Sequence, residues 1–433
     1  MKDIDKLSIN TIRILSAEAV ERAKSGHPGM PMGAAPIAYT LWAKHMKHNP
    51  SNPNWVDRDR FILSSGHASM LLYSLLHLFG YGLTIDDLKE FRQFQSKTPG
   101  HPEYGHTVGV ETTTGPLGQG FATGVGMAIA EEHLAAKFNR PGYNIVDHYT
   151  YVLAGDGCMM EGISSEAASL AGTLKLSKLI VLYDSNRITI EGSTDIAFTE
   201  DVGKRFEAYG WQVLVVEDGN DIDAIGKAIE EAKAEGERPT LIEVKTEIGY
   251  GCPNKQGSAS AHGEPLGEEN LKEAKKFLGW KWDEPFYVPS EVREHMKGVI
   301  TNCEKMESEW NKLWDAYKKE YPDLAEEWEI WHDESLPVDL LNDEEFWKFE
   351  GDMATRASSG KIINRLSKVI PNLIGGSADL APSTKTIMED RGHFSAEDRL
   401  GSNLHFGVRE HAMAAIGNGL AVHGGLRPYV ATF

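Results

Sequence analysis

The 433 residues include 44 Lys and Arg against 64 Asp and Glu, a formal charge of -20, which argues against a nucleic-acid or anionic-membrane surface. The length allows two or three domains with full cores, and any phosphate site has to be built locally from turns, a metal and a few basic side chains. Cys158, Cys252 and Cys303 form no CxxC and no paired framework, the first 20 residues lack an apolar signal core, and no apolar run reaches membrane-spanning length, so the reading is a cytoplasmic α/β protein.

Ser8 to Lys24 has helical periodicity, with Ile9, Ile12, Leu15, Ala19 and Val20 on one stripe, and stops at Ser25-Gly26-His27-Pro28-Gly29. Pro36 to Met46 is a second predicted helix, Arg60 to Leu63 a strand, Ala68 to Phe79 and Leu88 to Phe94 further helices. Thr113 to Gly120 opens a long helix reaching about Phe138, and the small residues Gly120, Ala122, Gly124, Gly126 and Ala128 predict close backbone packing there. Tyr151 to Ala154 reads as a buried strand, followed by a sharp turn at Gly155-Asp156-Gly157, a helix from Glu161 to Ala171 and a strand from Leu179 to Tyr183. Phe198 to Tyr209 is helical, Gln212 to Val216 a strand, Asp221 to Ala234 a helix and Thr240 to Lys245 a strand. This alternation predicts a doubly wound parallel sheet over residues 1–270. From about 271 to 350 charge and tryptophan rise, which reads as a helical connector with a solvated amphipathic surface. Met353 to Val369 is a helix, Leu373 to Gly376 and Leu404 to Val408 are strands, Glu410 to His423 is a helix and Tyr429 to Phe433 a strand. Residues 351–433 are thus expected to begin a second α/β domain.

The stretch from Tyr151 to Asn186 is one strand–helix–strand unit, so its strands are parallel neighbours with their C-terminal tips side by side, where open α/β sheets bind ligands. Those tips carry Asp156 and Asn186. Hard oxygen ligands beside a glycine turn suit Mg²⁺ or Ca²⁺ holding a diphosphate. Cys158, Met159 and Met160 follow the GDG, so the third glycine of a dinucleotide fingerprint is absent.

His27, His67, His101 and His262 each sit in a Gly- or Pro-bearing loop. Taken singly each reads as a solvated surface group. Gathered at one rim, neutral imidazoles could bond sugar hydroxyls or shuttle protons. Their spacing contains no HxH or HExxH, which ranks zinc below a polar substrate. Glu410, in a helical first turn, reads on sequence physics alone as a helix-dipole partner.

The segments SGHPGMPMG, FILSSGHASMLLY, TPGHPE, TTGPLGQG, GDGCMMEGISSEA, YDSNRITI, GSASAHG, GGSADLAPST and HFGVREHAMAAIGNG, in this order from Ser25 onward, together resemble the transketolase family of thiamine-diphosphate enzymes. GDG and a similar glutamate also occur in 1-deoxyxylulose-phosphate synthases, whereas Met159 to Gly162 and SADLAPS are similar to transketolase. The resemblance implies a thiamine-diphosphate-binding fold and transfer of a two-carbon ketol unit from a ketose phosphate to an aldose phosphate in the pentose phosphate pathway. It also implies a homodimer, with the cofactor between the diphosphate domain of one subunit and the pyrimidine domain of the other. Other readings are a non-enzymatic cofactor-binding or dimerising fragment, or a related enzyme such as a dihydroxyacetone synthase or a phosphoketolase.

The same resemblance implies roles by position. Asp156, Asn186 and the carbonyl of Ile188 would hold Mg²⁺ or Ca²⁺; Gly157, His67 and His262 would line the diphosphate; Gly115, Pro116 and Leu117 would face the aminopyrimidine. Glu410 would bond the pyrimidine nitrogen, while Glu161, with Glu166, resembles the carboxylates that link the two sites of the dimer. Asp379 and Phe433 fall at cofactor-binding positions, Phe433 as the first aromatic of the ring pocket. His27, His101 and His262 would contact sugar hydroxyls, and Arg356 and Ser383 the substrate phosphate. Family members continue for about 200–250 further residues, roughly half a domain plus a whole one. The C-terminal domain is therefore expected to be absent and the chain incomplete by itself, needing a complementary C-terminal fragment or subunit.

Overall fold

The computed structural model describes residues 1–333, 335, 339, 340 and 342–433. Glu334, Leu336, Pro337, Val338 and Leu341 of the predicted connector lie outside the described residues. Five parallel strands form the first sheet: β1 (Arg60–Leu63), β2 (Thr150–Gly155), β3 (Leu179–Ser185), β4 (Gln212–Val216) and β5 (Thr240–Lys245), in the order β1-β2-β3-β5-β4. Three more, β6 (Leu373–Ser377), β7 (Asn403–His405) and β8 (Arg427–Ala431), form a second parallel sheet in the order β7-β6-β8.

Around the sheets lie α1 (Asp3–Ala23), α2 (Gly29–Thr40), α3 (Ser69–Leu78), α4 (Ile85–Lys89), α5 (Gln119–Phe138), α6 (Asp156–Met160), α7 (Gly162–Thr173), α8 (Val202–Ala208) and α9 (Ile222–Ala234). The later helices are α10 (Glu268–Phe277), α11 (Ser290–Glu320), α12 (Pro322–His332), α13 (Thr355–Val369), α14 (Ala381–Thr384) and α15 (Glu410–His423). Among the described residues no helix is long and apolar enough to cross a membrane.

The central strands are apolar through most of their length, with polar residues toward their ends, because both faces of a parallel sheet are covered. Tyr151, Leu153, Ile180, Leu182, Ile242 and Val244 enter one core, with the α1 stripe of Ile9, Ile12, Leu15, Ala19 and Val20. Their neighbours Val152, Ala154, Val181, Tyr183 and Leu241 enter the opposite core, with α5, α7 and α15. Alternate residues serve opposite layers, so the sheet locks its own register.

The second core crosses from the first sheet's layer to the second's. A Cβ on Gly126 of α5 would lie 2.1 Å from the carbonyl oxygen of Ile416 in α15, and one on Gly419 would lie 2.0 Å from that of Thr123. The small residues of α5 therefore let two helix backbones meet. The connector's charged surface is solvated, but its aromatic side docks on the same core: the Tyr317 hydroxyl donates to the Phe138 carbonyl at 2.7 Å and Trp310 Nε1 to the Ile145 carbonyl at 2.9 Å.

Several boundaries differ from the sequence expectation. α2 starts at Gly29 and contains Pro31 and Pro36: Pro31 lies in the first turn, which needs no amide donors, and burial of the helix on every side outweighs the hydrogen bond lost at Pro36. α4 ends at Lys89, and the region to Phe94 is not helical: Arg92 adopts φ 61°, which breaks an α-helix. The GDG is no free turn, since β2 runs through Gly155 and α6 begins at Asp156. β8 starts at Arg427, two residues early, because Pro428 is accommodated on an edge strand.

Candidate active site

The C-terminal tips of β2 and β3 are adjacent, with Gly155 paired to Asp184. Asp156 is therefore brought beside Asn186 by sheet register rather than by loop geometry. The Tyr183 hydroxyl donates to Asp156 Oδ1 at 2.6 Å, and the Arg187 amide donates to Oδ2 at 2.9 Å. Asn186 is fixed at both ends of its amide: Nδ2 donates to Asp184 Oδ2 at 2.8 Å, and Oδ1 accepts from the Ile188 amide at 3.0 Å. Thr246 Oγ1 donates to Asp184 Oδ1. Burial pushes Asp156 up from the usual carboxylate range and Asp184 to about 7. Among the described residues neither carboxylate forms an ion pair with a basic side chain.

These tips open on a cavity of 490 Å³ whose wall includes Asp156, Gly157, Asn186, Ile188, Glu161, Gly115 and Leu117. His27, His67, His101 and His262 line it as well. The ring centroids of His27 and His67 are 5.0 Å apart, those of His67 and His262 5.1 Å, and those of His27 and His262 5.7 Å. The loops carrying His27 and His262 approach closely at Gly29, where a Cβ would come 2.5 Å from the Ala261 carbonyl oxygen. Burial lowers the pKa of all four; His27 falls to about 4, with His262 as the next cause, and His67 falls well below its ordinary value. The cluster is neutral near pH 7. Nδ1 of His27 and of His262 is buried without a hydrogen-bond partner among the described residues.

A diphosphate held by a divalent cation fits this wall. Asp156, Asn186 Oδ1 and the Ile188 carbonyl form an all-oxygen set suited to a hard cation. The buried carboxylates lack a protein counter-charge, and the orphaned imidazole nitrogens await a polar partner. Among the described residues no group of three or more His, Cys, Asp or Glu is placed to hold a metal ion.

Other predicted site residues lie elsewhere. Pro116 is exposed beside Gly115 but does not line the cavity. Glu410 is exposed at the start of α15, outside the cavity wall. Asp379 (φ 61°), Arg356, Ser383 and Phe433, which is 76% exposed, also lie outside it. Glu166 Oε2 accepts from the Ala412 amide at 2.9 Å, and Arg409 Nη2 donates to Ser169 Oγ at 2.9 Å, so α7 caps and pins the N-terminus of α15.

Sequence reasoning missed Asp184, Tyr183, Thr246 and Ser65. Ser65 Oγ accepts from the Gly155 amide at 2.9 Å and holds the strand end in place. The available signal was Asp184 itself, a charged residue two positions before Asn186 in a strand that is apolar up to Tyr183; Thr246 directly follows the C-terminal end of β5, far along the chain, and had none.

The model of the family described as transketolase, thiamine diphosphate binding domain, matches residues 4–337, and that of the transketolase pyrimidine binding domain matches residues 351–433. A curated transketolase of Geobacillus stearothermophilus is 57% identical over 431 residues, covering 99% of this chain and 64% of its own length. That of Bacillus subtilis is 56% identical over 434 residues, covering 100% and 65%. The chain thus spans just under two thirds of these relatives. Among solved structures, a Pichia stipitis transketolase complexed with sedoheptulose-7-phosphate superposes with a TM-score of 0.96 at 45% identity, covering 100% of this chain and 65% of that one. A Leishmania mexicana transketolase gives 0.95 at 47% identity, covering 100% and 64%. With its parallel sheets, its paired oxygen-bearing strand tips and both family domains matched in order, the chain belongs to the transketolase family.

Proposed function

We propose that the chain holds thiamine diphosphate through Mg²⁺ or Ca²⁺ in the 490 Å³ cavity and serves transketolase-type transfer of a two-carbon ketol unit from a ketose phosphate to an aldose phosphate. One observation carries this reading: Asp156, Asn186 and Ile188 share a cavity wall with the imidazoles of His27, His67, His101 and His262. When bound, thiamine diphosphate supplies the carbanion-stabilising chemistry of carbon–carbon cleavage and re-formation. Asp156, Asn186 Oδ1 and the Ile188 carbonyl hold the metal. His67, His262 and Gly157 would line the diphosphate, and the Gly115-Pro116-Leu117 backbone would face the aminopyrimidine, Gly115 and Leu117 from the cavity wall and Pro116 from beside it.

His27, His101 and His262 bond the sugar hydroxyls and hold or move a proton at their free ring nitrogens. Arg356, Ser383, Asp379 and Phe433 lie outside this chain's own cavity, as Glu410 does; across the homodimer Arg356 and Ser383 would take the substrate phosphate, and Asp379 and Phe433 would contribute to the cofactor surround, in the partner's site. Glu410 lies outside its own chain's cavity, which supports a homodimer in which it bonds the pyrimidine nitrogen in the partner's site. Glu161 and Glu166 connect the two sites through α7. The three buried free cysteines fit a cytoplasmic compartment.

The test is calorimetric titration of the chain with thiamine diphosphate in Mg²⁺ and in EDTA, followed by assay with xylulose 5-phosphate and ribose 5-phosphate, alone and with a separately expressed C-terminal fragment of a relative. Mg²⁺-dependent binding and turnover that rises on adding the fragment are expected. Equal affinity in EDTA would reject the metal-held cofactor.

A further inference from the structure

A second cavity, of 320 Å³, lies away from the cofactor wall, between α1, the loop before α9, Tyr250 and the end of α10. Its lining carries two side-chain cations, Lys6 and Arg13, and no carboxylate, in a protein with a formal charge of -20. Arg13 is 4% exposed. Its three hydrogen bonds all go to neutral groups: Nε to the Met32 carbonyl at 2.8 Å, Nη1 to Asn10 Oδ1 at 3.1 Å and Nη2 to Asn220 Oδ1 at 2.7 Å. Among the described residues it enters no ion pair. Burial lowers its pKa to about 10, so its charge persists at neutral pH without a counter-charge. At the rim, Asp223 is tied to the Met1 amino group at 3.3 Å.

The remainder of the wall is apolar and aromatic. The Arg13 guanidinium lies 4.4 Å from the centroid of the Tyr250 ring, and Tyr250 meets Phe277 edge to face at 6.2 Å. Phe277 is 52% exposed, an aromatic ring left at the cavity mouth, and Ile9, Pro36 and Leu278 complete the lining. A buried cation with neutral partners, a flexible lysine and two aromatic rings around a space near the lower bound of ligand pockets recognise one chemistry.

We propose that this cavity binds a small organic anion, with a carboxylate or phosphate facing Arg13 and Lys6 and a planar apolar body against Tyr250 and Phe277. Arg13 otherwise serves only as a strut between α1, α2 and Asn220, and the strut alone accounts for neither the absent counter-charge nor the exposed ring.

The experiment titrates the full chain, saturated with thiamine diphosphate and Mg²⁺, with benzoate, phenyl phosphate and inorganic phosphate, using ligand-observed NMR and calorimetry. Saturable binding of benzoate or phenyl phosphate is expected, with inorganic phosphate at least about tenfold weaker for lack of the ring contact, equivalent to 1.4 kcal/mol. The preference between the first two identifies the anionic group. Lys6→Ala and Phe277→Ala alter exposed positions and leave the fold intact; each is expected to weaken binding about three- to tenfold, and Arg13→Lys to weaken it further. In crystals soaked with 4-bromobenzoate, the bromine signal is expected in this cavity. Binding unchanged in both exposed variants, inorganic phosphate binding as well as phenyl phosphate, or no saturable binding of either aromatic anion overturns the proposal.

Discussion

Asp156 and Asp184 occupy the same strand tips but answer to different tests. Asp156 supplies an oxygen to the proposed metal directly, so Asp156→Ala is expected to abolish Mg²⁺-dependent binding of thiamine diphosphate while leaving far-ultraviolet circular dichroism unchanged. Calorimetric affinity in Mg²⁺ that matches the parent would remove Asp156 from the metal. Asp184 acts one step back: its Oδ2 accepts from Asn186 Nδ2 at 2.8 Å and so turns Asn186 Oδ1 the other way. With asparagine at 184 that acceptor becomes ambiguous and the Asn186 amide is free to flip. Asp184→Asn is expected to lower apparent Mg²⁺ affinity about 10- to 100-fold, the usual effect of losing a residue that orients a ligand. An unchanged Mg²⁺ titration would show that Asn186 needs no such support. Glu410 is the residue for which distance from its target matters most. Glu410→Ala, in the chain complemented by a C-terminal fragment, is expected to retain cofactor binding but lose exchange of the cofactor's C2 proton into D₂O, read by proton NMR.

The pairing of α5 with α15 is set by what their glycines lack. A methyl group on either Gly126 or Gly419 lands within about 2 Å of a carbonyl oxygen of the facing helix, so each Gly→Ala change forces the same two backbones apart. Gly126→Ala and Gly419→Ala should each cost about 1–3 kcal/mol in urea unfolding. Once one methyl has opened the gap the second finds part of its space made, so the double variant is expected to cost at least about 0.5 kcal/mol less than the sum. Strict additivity would mean that the helices accommodate each methyl by separate local shifts. The run of small residues in α5 and the helix α15 were each legible in the sequence, whereas their pairing was not, since nothing local connects Gly126 with Gly419. The same division holds elsewhere. Continuous apolar runs exposed β2 and β3, and their parallel pairing placed Asp156 beside Asn186. The start of α2 was hidden by Gly29, Pro31, Gly33 and Pro36, which read as breakers until burial on every side overrides propensity. Loop chemistry alone allowed His27, His67, His101 and His262 to meet at one rim, but separate stretches of chain create the 5–6 Å spacing of His27, His67 and His262 and bring His101 to the same wall, which no local pattern encodes.

Across the whole molecule, burial of titratable side chains ties stability to pH. His48 is fully buried where the segment after α2 meets α3 and α11. Its Nδ1 is 2.9 Å from the Tyr81 hydroxyl, its Nε2 is 3.2 Å from the Trp42 carbonyl, and Cys303 Sγ of α11 is 3.5 Å from Nε2. The nearby polar groups are thus a phenol, a carbonyl and a thiol, and burial also pushes the Cys303 thiol up to about 11. No charged partner compensates an imidazolium among these contacts, and burial lowers the His48 pKa from 6.5 to about 4. Between those values the unfolded chain binds more protons at this position than the folded one. The contribution of His48 is therefore complete above about pH 6.5 and is lost as the pH falls toward 4. At pH 5 the loss is about 2 kcal/mol for a shift of that size. Other buried groups titrate in the same range, including carboxylates whose raised pKa values act in the opposite sense, so the prediction concerns a difference between two proteins. Equilibrium urea unfolding, followed by tryptophan fluorescence at pH 7 and at pH 5, is compared for the parent and His48→Gln, which retains hydrogen-bonding capacity but cannot titrate. The stability advantage of the parent over the variant is expected to shrink by about 2 kcal/mol between pH 7 and pH 5. An advantage that stays constant would mean that His48 binds no proton on unfolding, and the core around Trp42, Tyr81 and Cys303 would then have to tolerate a charge that its neutral contacts give no means of stabilising.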